Sequence, residues 1–192
     1  MFTWRYSKLY FNNDISPFYM KNITDLLTNQ LLNQALKKKN VTLYFSFHRY
    51  VNAKYVNIFR GIIKKNKNMK FINQNNIAKC LATTSLVVTD FSSIIFDLMY
   101  RRKPIVLYVP DSNDNLISEI YMDDYIQLIN SMEEGKFLVE NKCNNVNQTV
   151  ERIIFYINNN FKLDSKLVNY YNIFGLKTSN NIDKFIKYLN NL

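Results

Sequence analysis

The residues best suited to chemistry are Thr89-Asp90-Phe91-Ser92-Ser93, set between the apolar runs Leu86-Val87-Val88 and Ile94-Ile95. Hydroxyls and main-chain N–H groups at the start of a helix bind phosphate, helped by the positive end of the helix dipole. The plainer alternative makes Ser92 an N-cap and Asp90 a turn residue. His48, the only histidine, directly follows the run VTLYFSF at 41–47. A lone histidine there is often no more than a hydrogen-bonded surface residue. Next to Arg49 it suits anion binding, and basic neighbours disfavour its protonation, leaving a neutral imidazole that donates. Thr3-Trp4-Arg5 adds a hydroxyl and a guanidinium, with Trp4 read most simply as a packing residue. All three groups favour an anionic, phosphorylated ligand.

Other chemistries lack their residues. Gly61, Gly135 and Gly175 stand alone, which excludes the glycine-rich dinucleotide and P-loop fingerprints. Cys80 and Cys143 make neither a disulfide framework nor a zinc site. Asp111, Asp114, Asp123 and Asp124 match no ligand spacing and read as a solvated loop, so no metal and no cofactor is expected. Arg101-Arg102-Lys103 closes a helix and complements its dipole on a solvated face, away from any strand tip.

The elements that must hold these residues alternate between strand and helix patterns. Residues 1–5 end a short strand. Ile23, Leu26, Leu27, Leu31 and Ala35 recur at helical spacing, predicting one helix over 15–39. Strands are expected at 41–47, 69–72, 85–89 and 105–109, and a sixth at 137–139. Helices are expected at 51–65, 77–82, 92–102, 147–158 and 181–192. This alternation predicts an α/β fold, a doubly wound and mostly parallel sheet of Rossmann-like order 3-2-1-4-5-6. In that order strands 1 and 4 are neighbours, and ligands bind in the crevice at their carboxyl ends.

Composition narrows the class. The 192 residues, with 15% aromatics, three prolines and three glycines, suffice for a folded core. No run of about 18 apolar residues is present and the first ten lack a signal-peptide core, so a reduced, cytoplasmic chain is expected. The formal charge is +10. The 29 asparagines, with abundant Lys, Ile and Tyr, point to codon bias as one source. Yet residues 26–89 hold eleven basic side chains and no acidic one: Lys37, Lys38, Lys39, Arg49, Lys54, Arg60, Lys64, Lys65, Lys67, Lys70 and Lys79. The expectation is a polarised domain, basic on the strand 2–3 side, facing an anionic membrane, a polyanionic acceptor or only solvent.

The stretch VVTDFSSIIFDLMYRRKPIVLYVPD at 87–111 resembles the signature of the CDP-glycerol glycerophosphotransferase family, the teichoic acid primases and polymerases. Met1-Phe2-Thr3-Trp4-Arg5 is similar to that family's M-P-T-W/F-R, and LYFSFH at 43–48 to its strand followed by R-x-H-P. Three departures stand out: Phe2 replaces a proline, Ser46 an arginine, and Arg49 the second proline. Phe91 also replaces a tyrosine.

The resemblance implies the second, donor-binding domain of a two-domain GT-B transferase. Its Rossmann-like domain would span 1–160, with a helical extension over 161–192. The family's N-terminal acceptor domain is missing from the sequence, which implies a fragment, a truncated product or a split partner. By that likeness Thr89, Asp90, Ser92 and Ser93 hold the diphosphate of a CDP-alcohol, with Thr3 and Arg5 lining the same cleft, while Arg49, where the family has proline, is expected to bind substrate by supplying the missing arginine's charge from a different direction. His48 matches the catalytic histidine. The implied partners are a CDP-alcohol donor and a polyol-phosphate or lipid-linked acceptor, with no specific nucleic acid. Its place would be the cytoplasm, with peripheral attachment to the inner face of the cell membrane as an option. Two alternatives stay open: a nucleotide-sugar glycosyltransferase or epimerase-like domain, and a non-catalytic basic module binding anionic membrane or nucleic acid.

Overall fold

The computed structural model describes residues 2–3, 17–47, 51, 53–90, 94–110 and 142–165. Among the described residues, five parallel strands run β1 (Phe2–Thr3), β2 (Leu43–Phe47), β3 (Met69–Phe71), β4 (Val87–Thr89) and β5 (Ile105–Leu107). They are ordered β3-β2-β1-β4-β5, the expected order through five strands and compatible with a Rossmann-like fold. The sixth strand expected at 137–139 lies outside the described residues. Beside β5, an isolated parallel bridge joins Tyr108 to Cys143.

Strand composition explains the two-faced burial. Phe45, Phe47, Met69, Val88, Val106 and Tyr108 join one core cluster with α1 (Pro17–Thr28), α2 (Gln30–Lys38), α3 (Ala53–Lys64) and α6 (Val146–Asn158). The alternating positions Ser46, Val87, Thr89, Ile105 and Leu107 are buried outside that cluster. Leu81 of α4 (Ile77–Thr83) and Ile95 and Leu98 of α5 (Ile94–Tyr100) are buried outside it too. Successive side chains of a strand point to opposite faces, so these last residues cover the second face.

The single helix expected over 15–39 is two helices. Asn29, with φ −59° and ψ 125°, leaves the helical region, and its side chain accepts a hydrogen bond from the Leu32 main-chain N–H at 3.1 Å. An asparagine that caps a new helix competes with continuing the old one. The apolar periodicity survives the break because both helices pack on the same core, and that misled the sequence reading.

Asparagine also ends helices. Asn40 (φ 51°) and Asn160 (φ 52°) close α2 and α6 in the left-handed conformation, which asparagine tolerates better than most side chains. In each case the following N–H reaches back to the final turn, Val41 to Leu36 O at 2.9 Å and Phe161 to Tyr156 O at 2.8 Å. Arg102 (φ 51°) does the same after α5, with Lys103 N–H bonded to Leu98 O at 3.0 Å. That helix therefore stops at Tyr100, short of the expected 102, and Arg102 belongs to the turn.

Ten of the eleven basic residues of 26–89 are described, and all ten are exposed. Lys37 and Lys38 end α2 and Lys39 follows; Lys64 ends α3, followed by Lys65 and Lys67. Helix ends that feed parallel strands lie at the strands' amino ends. The two turns are fastened together by the Asn68 side-chain amide donating to Val41 O at 3.3 Å. Six lysines thus gather below β2 and β3, at the end of the sheet opposite the crevice.

Candidate functional site

Strand order reverses at β1: β2 and β3 lie to one side, β4 and β5 to the other. Registers bring the carboxyl ends together, with Phe2 opposite Ser46 and Thr89, and Thr3 opposite Phe47. The chain leaves these ends as Phe47-His48-Arg49, Thr3-Trp4-Arg5 and Thr89-Asp90-Phe91-Ser92-Ser93. The structure therefore brings Thr3, Thr89 and Asp90 to one crevice. His48, Arg49, Arg5, Ser92 and Ser93 lie outside the described residues, each within a few positions of a described strand end.

Thr89 is fully buried, and its carbonyl accepts from Tyr108 N–H at 2.8 Å, so the last residue of β4 is held by β5. Asp90 is only 7% exposed. The Tyr19 hydroxyl, from the first turn of α1, donates to Asp90 Oδ2 at 3.3 Å. A second bond ties the same helix to β5, where the buried Tyr108 hydroxyl donates to Asn22 Oδ1 at 3.4 Å. The first turns of α1 therefore sit at the carboxyl ends of β4 and β5, tied there through two tyrosine hydroxyls.

Sequence reading missed Tyr19 and Asn22. Tyr19 sits four positions before Ile23 on the buried stripe of α1 and reads as core, while its partner is 71 residues away. A shallow polar cleft of about 380 Å³ adjoins this corner, lined by Asn22 and residues of the first turns of α6. Among the described residues, no cluster of His, Cys, Asp and Glu is arranged to hold a metal ion.

The titrations that the fold shifts are those of neutral groups held neutral. Burial pushes the Tyr108 phenol up, assisted by the charge of Asp25 and by Cys143. Burial likewise raises the Cys143 thiol and the Tyr156 phenol. The folded chain binds these protons more tightly than the unfolded chain does, so their contribution is complete below the unfolded pKa values, about 8.5 for Cys and about 10 for Tyr. Stability should fall as pH rises past about 9, and Tyr108→Phe should make that alkaline fall shallower. Urea unfolding midpoints between neutral pH and about pH 10.5 measure this, and an unchanged profile in the variant would count against the Tyr108 assignment.

With the fold and crevice in place, comparison with known proteins decides the family. A sequence model of the CDP-glycerol:poly(glycerophosphate) glycerophosphotransferases matches residues 1–132. The chain belongs to that family. Within the glycerophosphotransferase match fall β1 to β5 and every residue of the crevice. The minor teichoic acid biosynthesis protein GgaB of Bacillus subtilis (strain 168) is 26% identical over 149 residues, covering 77% of this chain and 15% of that protein. The teichoic acid poly(glycerol phosphate) polymerase of Bacillus spizizenii (strain W23) is 26% identical over 176 residues, 90% of this chain and 38% of that protein. This glycerophosphotransferase-family chain thus spans well under half the length of either relative. No solved structure matches it. Among the described residues, no helix is long and apolar enough to cross a membrane.

Proposed function

We propose that the chain is the donor-binding domain of a polyol-phosphate transferase in teichoic acid or related cell-envelope polymer synthesis, taking a CDP-alcohol such as CDP-glycerol. The observation that carries this reading is the convergence of the carboxyl ends of β1, β2 and β4 where the strand order reverses. Family membership supports the substrate class. The arrangement suits the donor half of a GT-B transferase, with the acceptor approaching from outside the crevice.

In the reaction an acceptor hydroxyl attacks the phosphorus nearest the glycerol. A new P–O bond forms, the bond to the bridging oxygen breaks, and CMP leaves with that electron pair while the acceptor proton passes to a base. The domain's task is to position the diphosphate and neutralise charge on departing CMP. Ser92, Ser93 and main-chain N–H groups of the β4–α5 turn serve the diphosphate, with His48, Thr3, Arg5 and Arg49 around it. Asp90 is an acceptor when ionised and would repel phosphate oxygens. Its part is to anchor the turn to α1 through Tyr19, or to accept from a donor hydroxyl.

Calorimetric titration with CDP-glycerol and with CMP tests this reading. Binding by the wild-type chain should weaken by tenfold or more in Ser92→Ala and in His48→Ala, on the order of 1.4 kcal/mol each. Binding indifferent to both substitutions would refute it, and preference for a UDP-sugar would point to a glycosyltransferase or epimerase instead.

One observation favours a second, compatible role. The six lysines gathered at the amino ends of β2 and β3 form a cationic face away from the donor crevice. Such a face binds anionic membrane with strong salt dependence. Sedimentation with acidic vesicles that persists with saturating CMP and disappears at high salt is expected; binding abolished by CMP would place the contact in the crevice.

A further inference from the structure

The polar cleft of about 380 Å³ beside β5 opens at the same end of the sheet as the donor crevice. Cys143 lies parallel to β5, its N–H bonded to Leu107 O at 2.7 Å and its carbonyl accepting from Val109 N–H at 2.9 Å. The chain therefore rises beside β5 and starts α6 beyond the carboxyl ends of the strands. Asn22 of α1 forms the other wall, one turn after Tyr19, whose hydroxyl holds Asp90. Neighbouring strands such as β4 and β5 stand about 4.8 Å apart, so a ligand anchored at the β4–α5 turn has this cleft beside it.

Bonds already made decide what the cleft offers. Asn145 Oδ1 accepts from Gln148 N–H at 3.0 Å, and Gln148 Oε1 accepts from Asn144 N–H at 2.8 Å. A main-chain N–H must meet an oxygen, so both carboxamides are fixed in orientation and turn their NH2 groups to a ligand. Asn22 is committed twice, accepting from the Tyr108 hydroxyl and donating to Phe18 O at 2.9 Å, so it serves as wall. Glu151 adds a carboxylate, which accepts. It is the i+3 neighbour of Gln148, and Asn145 precedes Gln148 by the same step. The three side chains that line the cleft thus read donor, donor, acceptor.

Pyrimidine bases answer that order differently. Along its pairing edge cytosine presents two acceptors, O2 and N3, and then the N4 amino donor. Uracil presents O2, an N3–H donor and the acceptor O4. It would set N3–H against an amide NH2 and O4 against a carboxylate. A Glu that accepts from N4 is a recurrent partner of cytosine, and sites built to hydrogen-bond one ligand reject an analogue that leaves their groups unpaired. We propose that Asn145, Gln148 and Glu151 read the cytosine of the donor nucleotide and set a preference for cytidine over uridine nucleotides. This rests on the donor-binding reading and adds to it the residues that recognise the base.

Calorimetric titration of the whole chain with CMP and with UMP tests the assignment. The wild-type chain should bind CMP more tightly than UMP by about tenfold or more. Glu151→Gln turns the acceptor into a group that donates to uracil O4, and should erase most of that preference. Gln148→Glu keeps an oxygen for Asn144 N–H, so the cap survives, but sets a carboxylate against N3. It should weaken CMP binding by about tenfold or more. Both side chains are exposed, so urea unfolding should find either variant as stable as the wild type. In NMR spectra CMP should shift the side-chain amide resonances of Asn145 and Gln148. An equal loss for both nucleotides in Glu151→Gln would assign that carboxylate to the ribose and overturn the base assignment. If CMP binding depends on Ser92 but the CMP-to-UMP ratio survives both substitutions, the donor reading stands and this inference falls. If the wild-type chain binds neither nucleotide, both fall.

Discussion

Asp90→Ala should lower CDP-glycerol affinity by at least tenfold and cost about 1–3 kcal/mol of folding stability. The stability loss follows from Tyr19, whose buried hydroxyl donates to Asp90 Oδ2 at 3.3 Å and would lose that acceptor in the variant. The affinity loss follows from position, since Asp90 opens the turn that leads to Ser92 and Ser93. Tyr19→Phe removes the hydroxyl and keeps the ring, so it should cost less in stability, within about 1–2 kcal/mol, and weaken donor binding only a few-fold. The double variant should then lose less than the sum of the two single losses, because both act through one bond. Calorimetry with CMP and CDP-glycerol, alongside urea unfolding, measures both quantities. Strict additivity would separate Tyr19 from Asp90, and unchanged affinity in Asp90→Ala would remove the turn from the donor site.

Phe45→Ala should be the most damaging single truncation to stability, at about 3–5 kcal/mol. Phe45 is fully buried in β2, with its ring centroid 4.9 Å from Phe47, 5.7 Å from Phe59 and 6.3 Å from Phe71. Those rings come from three elements, so the cavity left behind is walled by groups that cannot all move inward together. Ile58→Ala on the exposed side of α3 is the contrasting substitution, because Ile58 is half in solvent and should cost well under about 1 kcal/mol. Urea unfolding followed by far-UV circular dichroism separates these cases. A loss below about 1.5 kcal/mol for Phe45→Ala would mean that the aromatic cluster closes over the gap.

Local sequence carried the strands well. Apart from Ser46 and Ser85, VTLYFSF, SLVVT and IVLYV are apolar or β-branched, as suits strands covered by helices on two faces, and each contains the observed element. It carried the break at Asn29 poorly, since one apolar stripe runs through both helices and capping shows only in the backbone angles. The basic segment was legible as a run of 64 residues without a carboxylate. Its gathering below β2 and β3 was not, because it depends on two turns distant in sequence being bonded through Asn68 and Val41.

The division follows from the range of the forces involved. Periodicity, capping chemistry and motif residues act within a few positions, so the sequence alone determined the alternation of elements, the family signature and the residues expected at the crevice. Tertiary structure alone decided what depends on partners far along the chain. It chose Tyr19 as the clamp on Asp90 and drew six lysines to one end of the sheet. A hydroxyl on a buried stripe and a lysine on a surface acquire meaning only once strand order and register set their neighbours.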